Sequence, residues 1–343
     1  MAGESPALDV CVVGAGIAGL SAARKLTNAG LEVLVLDKSR GVSGRAATRR
    51  WAGHRVDHGA QFFSVRSREF EEEVDRLLSR KVCFRWSKGF HRFDGQSLQP
   101  PDSACAHPRY ACAEGMSALG KAIAEQVAVR CETKVERASR HAGCWQLTPL
   151  NGETVRARTL ILGCPAPQAR ALLDDDLARD ERGFTESLES IGYAPSLCVV
   201  GLYGVDEPEW KGVQLADDPV LAWIGNDSSK RAPGDSPSPL VLVYHASADF
   251  SAKYIQSSLE EAADKILARA GAVLGAWAAA PVERFVHRWR YAFVSTGFTQ
   301  TGFLKSGAEP TLYAVGDAFK GARIEGAYLS GLEAANDILV GRK

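Results

Sequence analysis

Six residues near the N-terminus, Gly14-Ala15-Gly16-Ile17-Ala18-Gly19, have the types and spacing of a phosphate-binding turn. In a G-x-G-x-x-G turn the first glycine allows a tight bend and the second lets backbone approach a pyrophosphate. The third lets the following helix pack close on the preceding strand. The N-terminus of that helix then faces the phosphates. Asp37 stands at the end of the next apolar run, where a carboxylate accepts from a ribose 2′-hydroxyl and repels a 2′-phosphate. These features specify a dinucleotide but do not separate NAD from FAD. The loop that follows does so better: Lys38-Ser39-Arg40-Gly41-Val42-Ser43-Gly44-Arg45 adds a second glycine-containing turn with an arginine. That suits the extra length and negative charge of FAD, with Arg45 as a phosphate fork.

The other end of the chain offers a matching set. Val315-Gly316-Asp317 closes an apolar run, and Arg323-Ile324-Glu325-Gly326 through Gly331 opens a helix. Asp317 is suited to accept from a ribitol or phosphate-proximal hydroxyl, and the helix N-terminus to stabilise negative charge at the pyrimidine end of a reduced flavin. Both chain ends are therefore expected to meet one non-covalently bound FAD. No Cys follows Cys198 to attach a flavin covalently late in the chain.

Between these ends, His287, Trp289 and Tyr291 alternate along a strand-like segment and share one face, with Arg288 and Arg290 on the other. His245, in Leu242-Val-Tyr-His-Ala-Ser247, is placed to hydrogen-bond a carboxamide or to tune proton release. Gly59, Ala60, Gln61 and Phe62 are expected to flank a flavin ring. His54 and His58 have the i, i+4 separation of helical metal ligands, but Gly53 and the extended Arg55-Val56-Asp57 argue against a helix, and no third ligand is suitably spaced; no metal is assigned. No serine sits in a G-x-S-x-G setting.

The elements that would hold these residues read as follows. A strand at 9–13, a helix at 17–29 and a strand at 32–37 make a βαβ unit. A surface helix begins near Arg66, a hairpin spans 82–98, and a helix spans 116–127. A β-meander occupies 128–163, turning at Ala142-Gly143 and Asn151-Gly152. From about 171 to 285 the pattern changes to antiparallel strands at 196–203, 220–225 and 239–246, a Pro/Ser/Gly-rich connection at 232–239 and a helix at 256–274. A strand at 282–293, a buried strand at 311–317 and a helix at 325–340 complete the chain. The fold class is α/β: a discontinuous Rossmann-like FAD-binding domain (1–75, 105–170 and 285–343) with a second α+β domain on a mostly antiparallel sheet (76–104 and 171–284).

With 343 residues and 45% apolar composition the chain can bury a large core. Lys plus Arg and Asp plus Glu both number 41, so no net field draws it to nucleic acid or to an anionic membrane. Eight cysteines include no C-x-x-C pair, and three sit inside apolar runs, which fits a reducing cytoplasm. The apolar run Val10–Leu20 lacks the basic flank of a signal peptide, and nothing reaches the roughly 18 apolar residues of a membrane span.

Taken together, the Gly-turn, Asp37–Gly41, Ser43-Gly44-Arg45, Asp57-x-Gly-Ala-Gln-Phe-Phe63, Pro165–Gln168, His287-Arg-Trp-x-Tyr-Ala292, Gly316-Asp-Ala and Glu325–Gly331 resemble bacterial renalase-like proteins over nearly the whole chain. These belong to the flavin amine oxidase and glutathione reductase class of folds. One departure is Val42-Ser43, where that family has a glycine directly before Gly44. The resemblance implies an FAD-dependent oxidase that takes hydride from 2- or 6-dihydro isomers of NAD(P)H and passes it through FAD to O2, giving H2O2. It places Trp289 and Tyr291 beside flavin or substrate and adds Val135 to the flavin site. Two other readings stay open: a flavin oxidase of amines or amino acids, and a flavin-holding interaction protein.

Overall fold

The computed structural model describes residues 6–102, 107–205, 208–231, 239–298 and 300–342; Cys105 and residues 232–238 of the expected connection lie outside them. The N-terminal unit forms as its spacing predicts. Strand β1 (Leu8–Val13) buries its last four residues, as a parallel strand covered on both faces requires. Helix α1 (Ile17–Asn28) leads back to β2 (Val33–Leu36), which pairs with β1 in parallel from Val10–Val33 to Val13–Leu36. A hairpin of β3 (Thr48–Trp51) and β4 (His54–Asp57) follows, confirming the extended reading there. Helix α2 (Arg68–Ser79) is capped by Ser67, whose Oγ accepts from the Phe70 N–H.

From 82 to 98 the structure differs from the expected hairpin. Strand β5 (Phe84–Ser87) does not pair with β6 (His91–Phe93). Instead β6 pairs with β7 (Leu98–Gln99), and β5 pairs with β8 (Arg109–Ala111). Alternation specifies that such residues are strands, whereas the choice of partner depends on faces supplied from elsewhere in the chain. Helix α3 (Ser117–Ile123) is shorter than expected. Strand β9 (Ala128–Arg130) leaves the expected meander to lie parallel beside β2, while β10 (Val135–His141), β11 (Cys144–Pro149) and β12 (Val155–Leu162) form it, β12 running parallel beside β1.

Three short helices, unforeseen because each is too short to show a helical period, come next: α4 (Ala166–Arg170), α5 (Asp175–Asp180) and α6 (Arg182–Glu189). They cover the first sheet with Leu177, Phe184 and Leu188. The second sheet is then built from β13 (Gly192–Tyr203), β14 (Gly212–Leu215), β15 (Leu221–Asn226) and β16 (Leu240–Ala246). Helix α7 (Ala248–Tyr254) is unforeseen; α8 (Leu259–Leu274) is the helix expected at 256–274, and β17 (Glu283–Thr296) follows. The strand order is β17-β13-β16-β15-β14-β6-β7, antiparallel except where β14 meets β6. The domain boundary drawn at 285 therefore falls inside an edge strand: residues 285–296 pair with β13 and belong to the second sheet.

The chain returns through β18 (Leu304–Lys305) and β19 (Leu312–Ala314), which lies parallel to β12, then α9 (Asp317–Lys320) and α10 (Ile324–Val340). Helix α10 sits directly on α1: a Cβ at Gly331 would overlap the Ala18 carbonyl oxygen, and Ser21 Oγ donates to the Tyr328 carbonyl at 2.9 Å. The first and last helices thus close over one face of the first sheet. Among the described residues, no helix is long and apolar enough to cross a membrane.

Candidate active site

Between the two sheets lies a cleft of about 2720 Å3. A single small-molecule site occupies roughly 300–1,000 Å3, so there is room for a large ligand and a second one beside it. Every residue expected to hold the cofactor lines this cleft except Ala15 and Gly19. Ala15 is buried, and its N–H donates to Asp37 Oδ2 at 2.6 Å; Gly19 faces Gly14 and Val12 instead. Both act on the turn rather than on its contents.

The turn is shaped for a pyrophosphate. Gly14 has φ +111°, and a Cβ there would fall 2.9 Å from the Gly163 carbonyl carbon. At Gly16 a Cβ would meet nothing nearer than the Gly163 oxygen at 3.8 Å, so this position borders open cleft. Helix α1 has neither a side-chain cap nor an acidic residue in its first turn, which leaves its N–H groups and dipole available to an anion. Asp37 accepts from the Ala15 and Ser39 N–H groups and keeps lone pairs for a ribose hydroxyl.

Arg45 does not stand alone. Its fork grips Asp317 at 3.0 and 2.6 Å and donates to the Ala292 carbonyl at 3.1 Å. Burial opposes the Arg45 charge, but Asp317 holds its pKa above the usual guanidinium value. The two ends of the chain meet here, in the cleft wall. Ser43, the departure from the family pattern, keeps the loop in place: its N–H donates to the Ala15 carbonyl at 2.8 Å although its φ is +96°.

On the opposite side the cleft is walled by rings. Trp289 stacks on His58 (centroids 5.4 Å apart, 23° between planes), and its Nε1 donates to the His58 carbonyl at 2.8 Å. His287 lies 4.7 Å from His58 edge-on, and Tyr291 meets Tyr193 at 5.7 Å, toward the Arg45 end. His245 Nδ1 is 3.5 Å from Ser196 Oγ, while its Nε2 is buried with no protein partner among the described residues. Burial, then Lys230, pushes the His245 pKa down to about 4; burial, then His287, pushes that of His58 to about 4. His287 is lowered by burial and by Arg49. The wall is therefore uncharged at neutral pH.

His58 and Ser196 escaped sequence reasoning as site residues. His58 had a signal in its place beside Gly59; Ser196 had none. Gln61 lines the cleft, but its amide is committed to protein: Nε2 donates to the Asp57 and Gly59 carbonyls, and Oε1 accepts from Lys230 Nζ at 3.1 Å. Lys230 is wholly buried and also reaches Asp57 at 3.3 Å and Asp227 at 3.1 Å, with Arg231 bonding both acids. The four charges balance.

The sequence pattern of flavin containing amine oxidoreductases matches residues 75–339, and that of an NAD(P)-binding Rossmann-like domain matches residues 12–80. The chain belongs to the flavin-containing amine oxidoreductase family. FAD is accordingly its cofactor, and the uncapped α1 terminus, the open Gly16 position and Asp37 fit that molecule. A putative flavin-containing monoamine oxidase of Mycobacterium tuberculosis is 54% identical over 55 residues, 16% of this chain and only 12% of that protein's length. A putrescine oxidase triple mutant has TM-score 0.74 at 17% identity over 98% of this chain and 99% of the other. A cyclohexylamine oxidase from Brevibacterium oxydans has TM-score 0.73 at 14% identity over 97% and 99%. At such identities the likeness is one of fold.

Proposed function

We propose that this family member oxidises a small, already reduced donor, a 2- or 6-dihydro isomer of NAD(P)H, with O2 as final acceptor. The balance is donor plus O2 plus a proton, giving NAD(P)+ and H2O2. Bound FAD supplies a two-electron hydride acceptor that oxygen can reoxidise.

The observation that carries this reading is the uncharged ring wall of His58, His245, His287 and Trp289. A dihydronicotinamide needs no deprotonation before it gives up hydride; it needs a flat, water-poor slot and a partner for its carboxamide. Trp289 and Tyr291 supply the walls, and His245 Nε2 supplies an uncharged hydrogen-bonding atom. Cleft-lining carboxylates lie elsewhere, at the dinucleotide turn (Asp37), beside Val135 and paired with Lys134 (Glu136), in the Arg45 pair (Asp317) or toward β6 and β7 (Asp94, Asp102). The α1 terminus holds phosphate and Asp37 a ribose; Arg45, whose fork is taken by Asp317 rather than free for phosphate, fastens the turn, and the Gly59–Phe62 backbone and Val135 border the cofactor. Lys38, Gly44, Arg323 and Ile324 complete that lining. The seven described cysteines are free thiols, which suits a reducing cytoplasm.

Family membership supports a second reading, oxidation of an amine. Against it stands Arg49, exposed and close enough to depress His287, which would repel an ammonium group at the ring wall. The test is peroxide formation in air by the purified holoprotein with 2- and 6-dihydro-NAD(P), ordinary NADPH and a panel of amines. Peroxide from the first pair alone supports the proposal; peroxide from amines alone replaces it with the second reading.

A further inference from the structure

The roof of the cleft carries a row of side chains that runs straight across the second sheet. Register sets His287 opposite Cys198, Cys198 opposite His245, His245 opposite Trp223, Trp223 opposite Gln214, Gln214 opposite Arg92 and Arg92 opposite Gln99. Directly opposed residues on neighbouring strands share a face. All but Cys198 line the cleft. Seven strands at about 4.8 Å spacing give a row about 29 Å long, far more than one ring can cover.

Its two ends differ in chemistry. Under His287 and His245 the row is uncharged, and the buried His245 Nε2 and Trp223 Nε1 have no protein partner among the described residues. Two and three strand spacings from His245, about 10 and about 14 Å, stand Gln214 and Arg92. Both are exposed, and neither side chain has a hydrogen bond or ion pair with a described residue. The nearby acid Asp94 is occupied: it accepts from the Gln96 and Ser97 N–H groups and from Gln99 Nε2, each at 2.8 Å.

We infer that Arg92 and Gln214 form a distal subsite for the adenosine diphosphate half of an elongated donor whose reacting ring lies under His245 and His287. A guanidinium fork matches phosphate oxygens in pairs, and the Gln214 amide can bond ribose or phosphate. The identity of the reacting end rests on the dihydronicotinamide reading; the distal subsite does not, because a probe lacking nicotinamide tests it.

Calorimetric binding of ADP to the holoprotein is that probe. Wild type should bind it, and Arg92→Ala and Gln214→Ala should each weaken binding, Arg92→Ala by about tenfold. Anaerobic titration adds a second arm: Arg92→Ala should lower the ratio of affinities for dihydronicotinamide dinucleotide over mononucleotide by about tenfold. Failure of wild type to bind ADP, or equal binding by all three proteins, overturns the subsite. If no dihydronicotinamide reduces the flavin while ADP binding still depends on Arg92, the subsite stands and the functional reading falls.

Discussion

Arg45 and Asp317, 272 residues apart, form a two-pronged ion pair in the cleft wall at 3.0 and 2.6 Å. One residue comes from the loop after β2 and the other from the start of α9, so the pair fastens the returning end of the chain to the first dinucleotide turn. Removing either member leaves the other charge unpaired in the cleft wall. Arg45→Ala and Asp317→Ala should each raise the FAD dissociation constant by about tenfold or more, from the roughly 1.5–3 kcal/mol of a charged hydrogen bond. Their double variant should lose less than the sum. Flavin fluorescence on dilution measures this.

Ser43 and Gly120 are matched in a similar way. A Cβ on Gly120 would lie 2.5 Å from Ser43 Cβ, so the glycine in α3 makes room for a serine held at φ +96°. Ser43→Gly should raise stability by about 1 kcal/mol by relieving backbone strain. Gly120→Ala should cost about 1–3 kcal/mol through overpacking, and less in the Ser43→Gly background. Denaturant unfolding of the four proteins checks the cycle.

These cases show what was legible in the residues alone. Gly14 to Asp37 could be read because strand, turn, helix and acid are contiguous, so local spacing determines their geometry. The pairing of β5 with β8, and of β6 with β14, could not: Arg92 reaches Gln214 only through a register set by distant strands. Lys230 had no signal either, since a lysine in a polar turn ordinarily faces water and this one is buried by Asp57, Gln61 and Asp227. Sequence order groups residues 285–296 with the C-terminal segment, whereas their strand partner, β13, lies some ninety residues earlier.

Lys230→Met should therefore be costly. Burial raises the Asp57 pKa, but Lys230 and Arg231 together bring it below the ordinary carboxylate value. Without Lys230 two buried acids share one arginine. Breaking such a pair costs about 3–5 kcal/mol, which thermal unfolding will show; the Gln61 amide also loses its anchor, so the flavin absorption band should shift.

The imidazoles make stability depend on acid. His58 and His245 have folded pKa values of about 4 against 6.5 when unfolded. Between those values the unfolded chain binds more protons, so stability is full above about pH 6.5 and falls as pH drops toward 4. The loss should be a few kcal/mol. His245→Asn should flatten the dependence of melting temperature on pH across that window; an unchanged slope would assign it to other groups.

The ring wall of His58, His245, His287 and Trp289 is proposed to admit a neutral dihydronicotinamide beside FAD. Anaerobic stopped-flow mixing of the yellow holoprotein with 2- or 6-dihydro-NAD(P), ordinary NAD(P)H and amines tests it most directly. One or both misreduced isomers should bleach the flavin far faster than ordinary NAD(P)H or any amine. Equal bleaching by ordinary NAD(P)H, or bleaching by an amine alone, would contradict it.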